Sequence, residues 1–179
     1  MQQSGIFPLK EYIRIDRLVN VSYYRLPHNF LWSGEAHNSW ELVYVDQGDL
    51  LVTAGEKRYK LTAGEMAFHC PNEYHNLYPS ENSSANVLVI AFVCTSPVMR
   101  ELEHKILTLG KTEKQYLSWI VKEAEASFTY FKNTPPQVRL LLREDAPFGE
   151  PQIIKNLLEC FLLLRVDHRA DEVGRKEVR

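Results

Sequence analysis

The 179-residue chain lacks the features that would place it in a membrane, outside the cell or on a nucleic acid. No stretch approaches the ~20 consecutive apolar residues that span a bilayer. The amino-terminal MQQSGIFPLKEYIRIDR has no apolar centre of the kind a secretion signal needs. Only three cysteines occur, Cys70, Cys94 and Cys160. They are odd in number and too widely spaced for a zinc knuckle, so no disulfide framework is expected. They read as free, mostly buried thiols of a reducing cytoplasm. Charge of either sign is not in excess: 21 Lys+Arg stand against 23 Asp+Glu, interleaved along the chain, for a net charge of −2. Duplex binding requires a concentrated basic footprint, so this chain by itself is not expected to bind nucleic acid. The sequon Asn82-Ser83-Ser84 reads as chance without a secretion signal. What remains is an ordinary globular composition, 45% hydrophobic and 25% charged, long enough to bury one core.

The most informative stretch runs from Ser33 to Asn76. A polar turn leads into a strand carrying Glu35, His37 and Glu41, which Gly48 breaks. The runs Leu50–Ala54, Lys57–Leu61 and Met66–Cys70 read as further strands, separated by Gly55 and Gly64. A turn at Pro71-Asn72-Glu73-Tyr74 then delivers His75. Short strands with glycine at the turns predict an all-β barrel or sandwich. Residues 10–26 and the apolar run Val87–Val93 bring the count to seven or eight, enough to close a small barrel. Strand side chains alternate faces. Residues 35, 37, 41, 43 and 45 therefore share one face if the strand is unbroken, while Trp40, Leu42 and Tyr44 share the other. That second face requires an apolar cover. Phe30, Leu31 and Trp32, after a turn at Pro27-His28-Asn29, are expected to plug one barrel end.

Beyond residue 96 the periodicity becomes helical. Met99, Leu102, Ile106, Leu107 and Leu109 predict a helix opened by Pro97 and stopped by Gly110. A second helix, N-capped by Thr112 with Gln115 three residues on, carries a stripe of Tyr116, Leu117, Ile120, Val121, Ala124 and Phe128, and ends at Asn133-Thr134-Pro135-Pro136. Gln137–Arg143 reads as a short helical piece and Asp145–Gly149 as a loop. A third long helix is expected from Pro151 to Val166, apolar around most of its circumference and so buried on more than one side. One side can pack on the barrel. The other suits a twin subunit, and Ile154, Leu158, Phe161 and Leu162 are the residues assigned to that homodimer interface. The simpler meaning of both helical stripes is core. The tail Asp167–Arg179 is nearly all polar and reads as a solvated helix end or linker.

Glu35-x-His37-x3-Glu41-x6-Gly48 is similar to the first cupin motif, with Glu35 standing where that family has a histidine. Gly64-x6-Pro71-x3-His75 resembles the second motif with slightly altered spacing. The wording HNSWELVYVDQGDLLV…LTAGEMAFHCPNEYHNL resembles more closely the amino-terminal sensor domain of AraC-type transcription regulators. The resemblance implies a mainly β fold with α: a cupin-like (double-stranded β-helix or jelly-roll) barrel with an amino-terminal arm over residues 1–96, a helical dimerisation segment over 97–166, and a charged tail over 167–179. It also implies effector sensing, pairing through the helices, and DNA binding through helix-turn-helix units for which these 179 residues leave no room. The chain is thus expected to be a fragment or a sensor without its reader.

Glu35, His37, Glu41 and His75 are the polar groups that a cupin would point into its barrel. Two carboxylates and two imidazoles suit a divalent metal such as Mn, Fe, Ni or Zn. They equally suit a small organic effector, for which a sugar is one candidate; Tyr24 and His69 are then further ligand-binding candidates. The plain alternative is that Glu41 and His75 satisfy each other or the strand ends. His28, His104 and His168 read as surface or turn histidines. No catalytic residue is assigned and no membrane partner is expected. The competing expectation is a free-standing metal-dependent cupin enzyme, a dioxygenase or isomerase.

Overall fold

The computed structural model describes residues 7–80, 83–130 and 140–167. Eight strands build two facing sheets: β1 (Ile15–Leu26), β2 (Trp40–Gln47), β3 (Asp49–Ala54), β4 (Lys57–Thr62), β5 (Glu65–His69), β6 (His75–Pro79), β7 (Ala85–Cys94) and β8 (Ile106–Thr108). The larger sheet has the order β1-β7-β2-β5-β8 and the smaller β4-β3-β6, with antiparallel pairing throughout. Side chains alternating along each strand divide the apolar residues into two clusters. Val43, Val45, Leu50, Val52, Leu61, Leu77, Val87 and Val89 fill the space between the sheets. Trp40, Leu42, Tyr44, Phe68, Ile90 and Phe92 lie on the other side of the large sheet, in a second cluster. β7 contributes to both, which is why its sequence is apolar at consecutive positions.

The cover for that second face is helical. Helices α1 (Lys111–Ser127) and α2 (Glu150–Asp167) pack on it through Leu117, Ile120, Ala124, Ile154, Leu158, Phe161 and Leu162. The fold is therefore mainly β with α, a cupin-like two-sheet barrel followed by a helical segment. Polar bonds fasten the layers together: Glu159 accepts from the backbone N–H of Ile15 at 2.8 Å, and Ser127 donates to Glu150 at 2.8 Å. Among the described residues no helix is long and apolar enough to cross a membrane.

Several local expectations give way. The strand expected to begin at Glu35 begins at Trp40. Gly34, at φ +81°, turns the chain before it, and Ser39 Oγ shares a 2.8 Å hydrogen bond with His37 Nδ1 in a bend that interrupts the extension. The helix expected from Pro97 to Leu109 is a 3-10 turn over Pro97–Leu102 followed by β8. Ile106 faces the inner cluster and Leu107 the outer one, the alternation of a strand, and β8 covers the edge of β5. Gly110, not Thr112, is the N-cap of α1. The helix ends at Ser127, because Phe128–Tyr130 becomes a strand, β9, paired with β10 (Leu140–Leu142) where a helical piece was expected; aromatic and β-branched residues favour that conformation. Asn133–Pro136 and residues 168–179 lie outside the described residues. Of the thiols, Cys94 is buried but Cys160 is exposed, against expectation.

The residues assigned to a dimer interface are also displaced. Ile154, Leu158, Phe161 and Leu162 are each at most 1% exposed and belong to the chain's own core. At 100° per residue they lie on the side of α2 that meets the sheet and α1. A neighbouring stripe is less covered: Ile153, Leu157, Cys160 and Leu164, at spacings of four, three and four, of which Leu157 still touches the edge of the core. Ile153 and Cys160 are exposed, and Leu157 and Leu164 half-buried.

Candidate functional site

At one mouth of the barrel, four chain segments bring acidic and imidazole side chains together. Glu41 enters from β2, opposite His69 of β5. His75 opens β6, and its backbone exchanges two hydrogen bonds with Glu35, 3.0 and 2.9 Å long. The loop carrying His37 is tied to the Pro71 turn by the Asn72 N–H, which donates to the His37 carbonyl at 2.7 Å. Gly34 permits this closeness: a Cβ there would meet the His75 carbonyl at 2.5 Å and the Tyr74 hydroxyl at 2.6 Å.

One donor atom from each of Glu35, His37, Glu41 and His75 lies within 4.8 Å of the other three. His37 Nε2 is 3.4 Å from Glu41 and 3.9 Å from Glu35, and His75 Nε2 is 3.6 Å from the other oxygen of Glu41. The four residues named from the sequence thus converge even though their strand is broken. Glu41 and His75 are buried, while Glu35 and His37 sit partly in solvent, so the cluster is reached from outside past the latter pair. His69, fully buried, stacks on His75 with ring centres 4.4 Å apart. Tyr24 is half-buried against the inner apolar cluster. Trp32 approaches His75 edge-on at 6.1 Å.

The electrostatics divide the roles. Burial pushes the Glu41 carboxyl up, but a hydrogen bond from His37 and the neighbouring His75 and His69 more than offset this, and it is held below the usual carboxylate range. His37 is raised, first by its bond to Glu41. Glu35 is raised by burial and by the Glu41 charge. His75 is lowered, mainly by burial, despite the pull of Glu41. Glu73, not singled out from the sequence, completes the geometry. Its carbonyl lies 2.9 Å from His75 Nδ1 and takes the ring proton there. With that proton on Nδ1, the Nε2 side of the ring faces Glu41, and this buried atom has no hydrogen-bond partner among the described residues. A tautomer fixed by a backbone acceptor is how metal-ligating histidines are commonly held. The orphaned nitrogen and the mixed N/O donors fit a divalent cation. No sequence pattern marked Glu73, since its contribution to His75 comes from a main-chain atom.

Residues 23–96 match the family model of the AraC-like ligand binding domain. The matched segment contains Tyr24, Glu35, His37, Glu41, His69 and His75 and stops before β8 and both helices. No curated protein matches the chain. Solved structures similar to it include a conserved protein of unknown function from Streptococcus pyogenes, with 15% identity over 40% of this chain and 61% of that one, at a TM-score of 0.38. A cupin-family protein with a double-stranded β-helix fold from Methanocaldococcus jannaschii has 11% identity over 51% of this chain and 93% of that one, at 0.40. Hydroxypropylphosphonic acid epoxidase from S. wedmorenis has 16% identity over 40% of this chain and 42% of that one, at 0.36. The chain spans less than two thirds of the length of the first and last of these.

Proposed function

We propose that this chain is the effector-sensing and dimerisation domain of an AraC-type transcription regulator, and that the mouth of its barrel is the recognition site. The observation that carries the site is His75: a fully buried imidazole whose Nε2 side faces Glu41 without a hydrogen-bond partner among the described residues. An unmatched buried acceptor costs stability, and a ligand that donates a hydrogen bond to it, or a cation that accepts its lone pair, would recover that cost. Effector binding then favours one arrangement of the helices over another, and the effect reaches DNA through a reader domain beyond this sequence. Dimerisation belongs to the outward stripe Ile153, Leu157, Cys160 and Leu164, whose four-three-four spacing is that of a coiled-coil seam.

Glu35, His37, Glu41 and His75 would hold a divalent metal if one is resident. When bound, it would supply a Lewis-acidic centre for an oxygen of the effector. The same four donors favour a second reading, a metal-dependent cupin enzyme, which differs in consuming its ligand. Calorimetric titration of metal-free protein with Mn²⁺, Ni²⁺ and Zn²⁺, and then with a panel of sugars, tests the site. Saturable binding is expected in the parent, weakened at least about tenfold in His75→Ala, a loss of about 1.4 kcal/mol. Equal binding by parent and variant would remove His75 from the site. Recovering the bound sugar chemically unchanged supports the sensor; finding it converted supports the enzyme.

A further inference from the structure

A second set of donors lies on the far side of Glu73 from the barrel mouth. The turn Cys70-Pro71-Asn72-Glu73 closes with the Glu73 N–H donating to the Cys70 carbonyl at 3.1 Å, and Asn72 takes φ +65°. Proline followed by a left-handed residue is the signature of a type II turn. It sets the Cys70 thiol and the Glu73 carboxylate side by side, with Glu73 Oε2 also accepting from the Cys70 N–H at 3.1 Å. His104 arrives from the loop between the 3-10 turn and β8. Its backbone is left-handed, φ +57°, and its ring nitrogen Nδ1 stands 3.6 Å from Glu73 Oε1. For a residue other than glycine that conformation is uncommon and costs free energy. One donor atom each from Cys70, Glu73 and His104 lies within 4.8 Å of the other two. Beside them is His69, 0% exposed, with neither ring nitrogen hydrogen-bonded among the described residues and Nδ1 3.7 Å from Glu73 Oε2.

We propose that Cys70, Glu73 and His104 form a second divalent-cation site, separate from the barrel-mouth cluster, that takes a borderline-soft ion such as Zn²⁺. A thiolate, an imidazole and a carboxylate are the donors this ion prefers, and three protein ligands leave a fourth position for water. Donors at about 2.0–2.3 Å from zinc in a tetrahedron stand roughly 3.5 Å apart. The cluster must therefore contract by about 1 Å from its widest separation, and the half-exposed ring of His104 can supply that movement. Burial, with Glu73 and Glu103 nearby, pushes the Cys70 thiol up to about 12. The sulfur is protonated until a cation arrives; the ion then forms the metal–sulfur bond and the displaced proton leaves to solvent. The His69 ring stacks on His75 and its Nδ1 lies 3.7 Å from Glu73 Oε2.

The barrel-mouth cluster offers no sulfur, so the two sites are separable by spectroscopy. Co²⁺ added to the reduced, metal-free full chain should give a near-ultraviolet thiolate-to-cobalt charge-transfer band that saturates at one equivalent and is displaced by Zn²⁺. The band should vanish in Cys70→Ser, weaken strongly in His104→Ala, and persist in Cys160→Ser and in Glu41→Gln, which disables the first cluster. Cys70→Ser is a near-isosteric change at a half-exposed position, and an unchanged circular dichroism spectrum shows that the variant folds. Absence of the band in the parent, or its survival in Cys70→Ser, would overturn the proposal. Failure of the barrel mouth to bind anything would leave the cobalt–thiolate result intact.

Discussion

A guanidinium that is 1% exposed has to be matched by charge, and Arg165 of α2 has one partner among the described residues. Its Nη1 donates to Glu113 of α1 at 2.8 Å, while Nε and Nη2 have no hydrogen-bond partner among the described residues. The desolvation of such a pair is only just offset by its Coulomb attraction, so removing one member is far worse than removing both. Glu113→Gln is expected to lower unfolding free energy by about 3–5 kcal/mol, and the double replacement Glu113→Leu/Arg165→Met to return within about 2 kcal/mol of the parent. Urea denaturation of the three proteins measures this; a double variant no better than Glu113→Gln would show that the pair does more than neutralise itself. At this scale the sequence was legible where one residue type carried the meaning. Glu35, His37, Glu41 and His75 were named by motif, and the structure gathers them. The route differs from simple strand parity, since backbone bonds from Glu35 to His75 and from Asn72 to His37 do the gathering. Glu73 was not legible, because a main-chain carbonyl works identically in every residue. Arg165 was not either, because a basic residue near a helix end ordinarily reads as solvated.

Elements were legible when their period had one interpretation. β7 could only be a strand covered on both sides, and is. α2 posed a harder problem, since two apolar stripes lie on adjacent sides of it, with Leu157 at their border, and periodicity alone does not say which one meets the sheet. The two are told apart by adjacent substitutions. Leu158→Glu places a carboxylate at a 0% exposed position in the core, and is expected to unfold the chain or cost several kcal/mol. Leu157→Glu, one residue earlier, is expected to leave the melting temperature within a few degrees of the parent while halving the mass seen by sedimentation equilibrium. A parent that sediments as a monomer, or a Leu157→Glu protein that keeps the dimer mass, would remove this stripe as the interface. The 97–109 segment was misread for a related reason. Met99 and Leu102 do repeat at helical spacing, but Ile106 and Leu107 face opposite clusters, and an alternation this short is indistinguishable from a helical run until the β5 edge that needs a partner is in view.

For the molecule as a whole, packing is continuous across residue 96. β8 comes from beyond that point yet completes the large sheet. Trp40, Leu42, Phe68, Ile90 and Phe92 on the sheet share one cluster with Ile120, Leu158 and Phe161 of the helices. Stripping the helices away would hand water a continuous apolar face of the sheet, at about 25 cal/mol for each Å² exposed. Stability of a domain is a difference of only about 5–15 kcal/mol, so uncovering several large side chains at once exceeds it. Barrel and helices are therefore expected to unfold together. Thermal melts of a Trp119→Phe variant, followed by the fluorescence of Trp32 and the buried Trp40 and by helical circular dichroism, should superimpose with one midpoint. A chain truncated after Gly110, which keeps all eight barrel strands and every residue of the barrel-mouth cluster, should be insoluble or bind a hydrophobic dye without a cooperative melt. A soluble truncated barrel with a sharp transition would mean that the sheet is stable without its cover. The helices would then be free to move against it when the barrel mouth is filled.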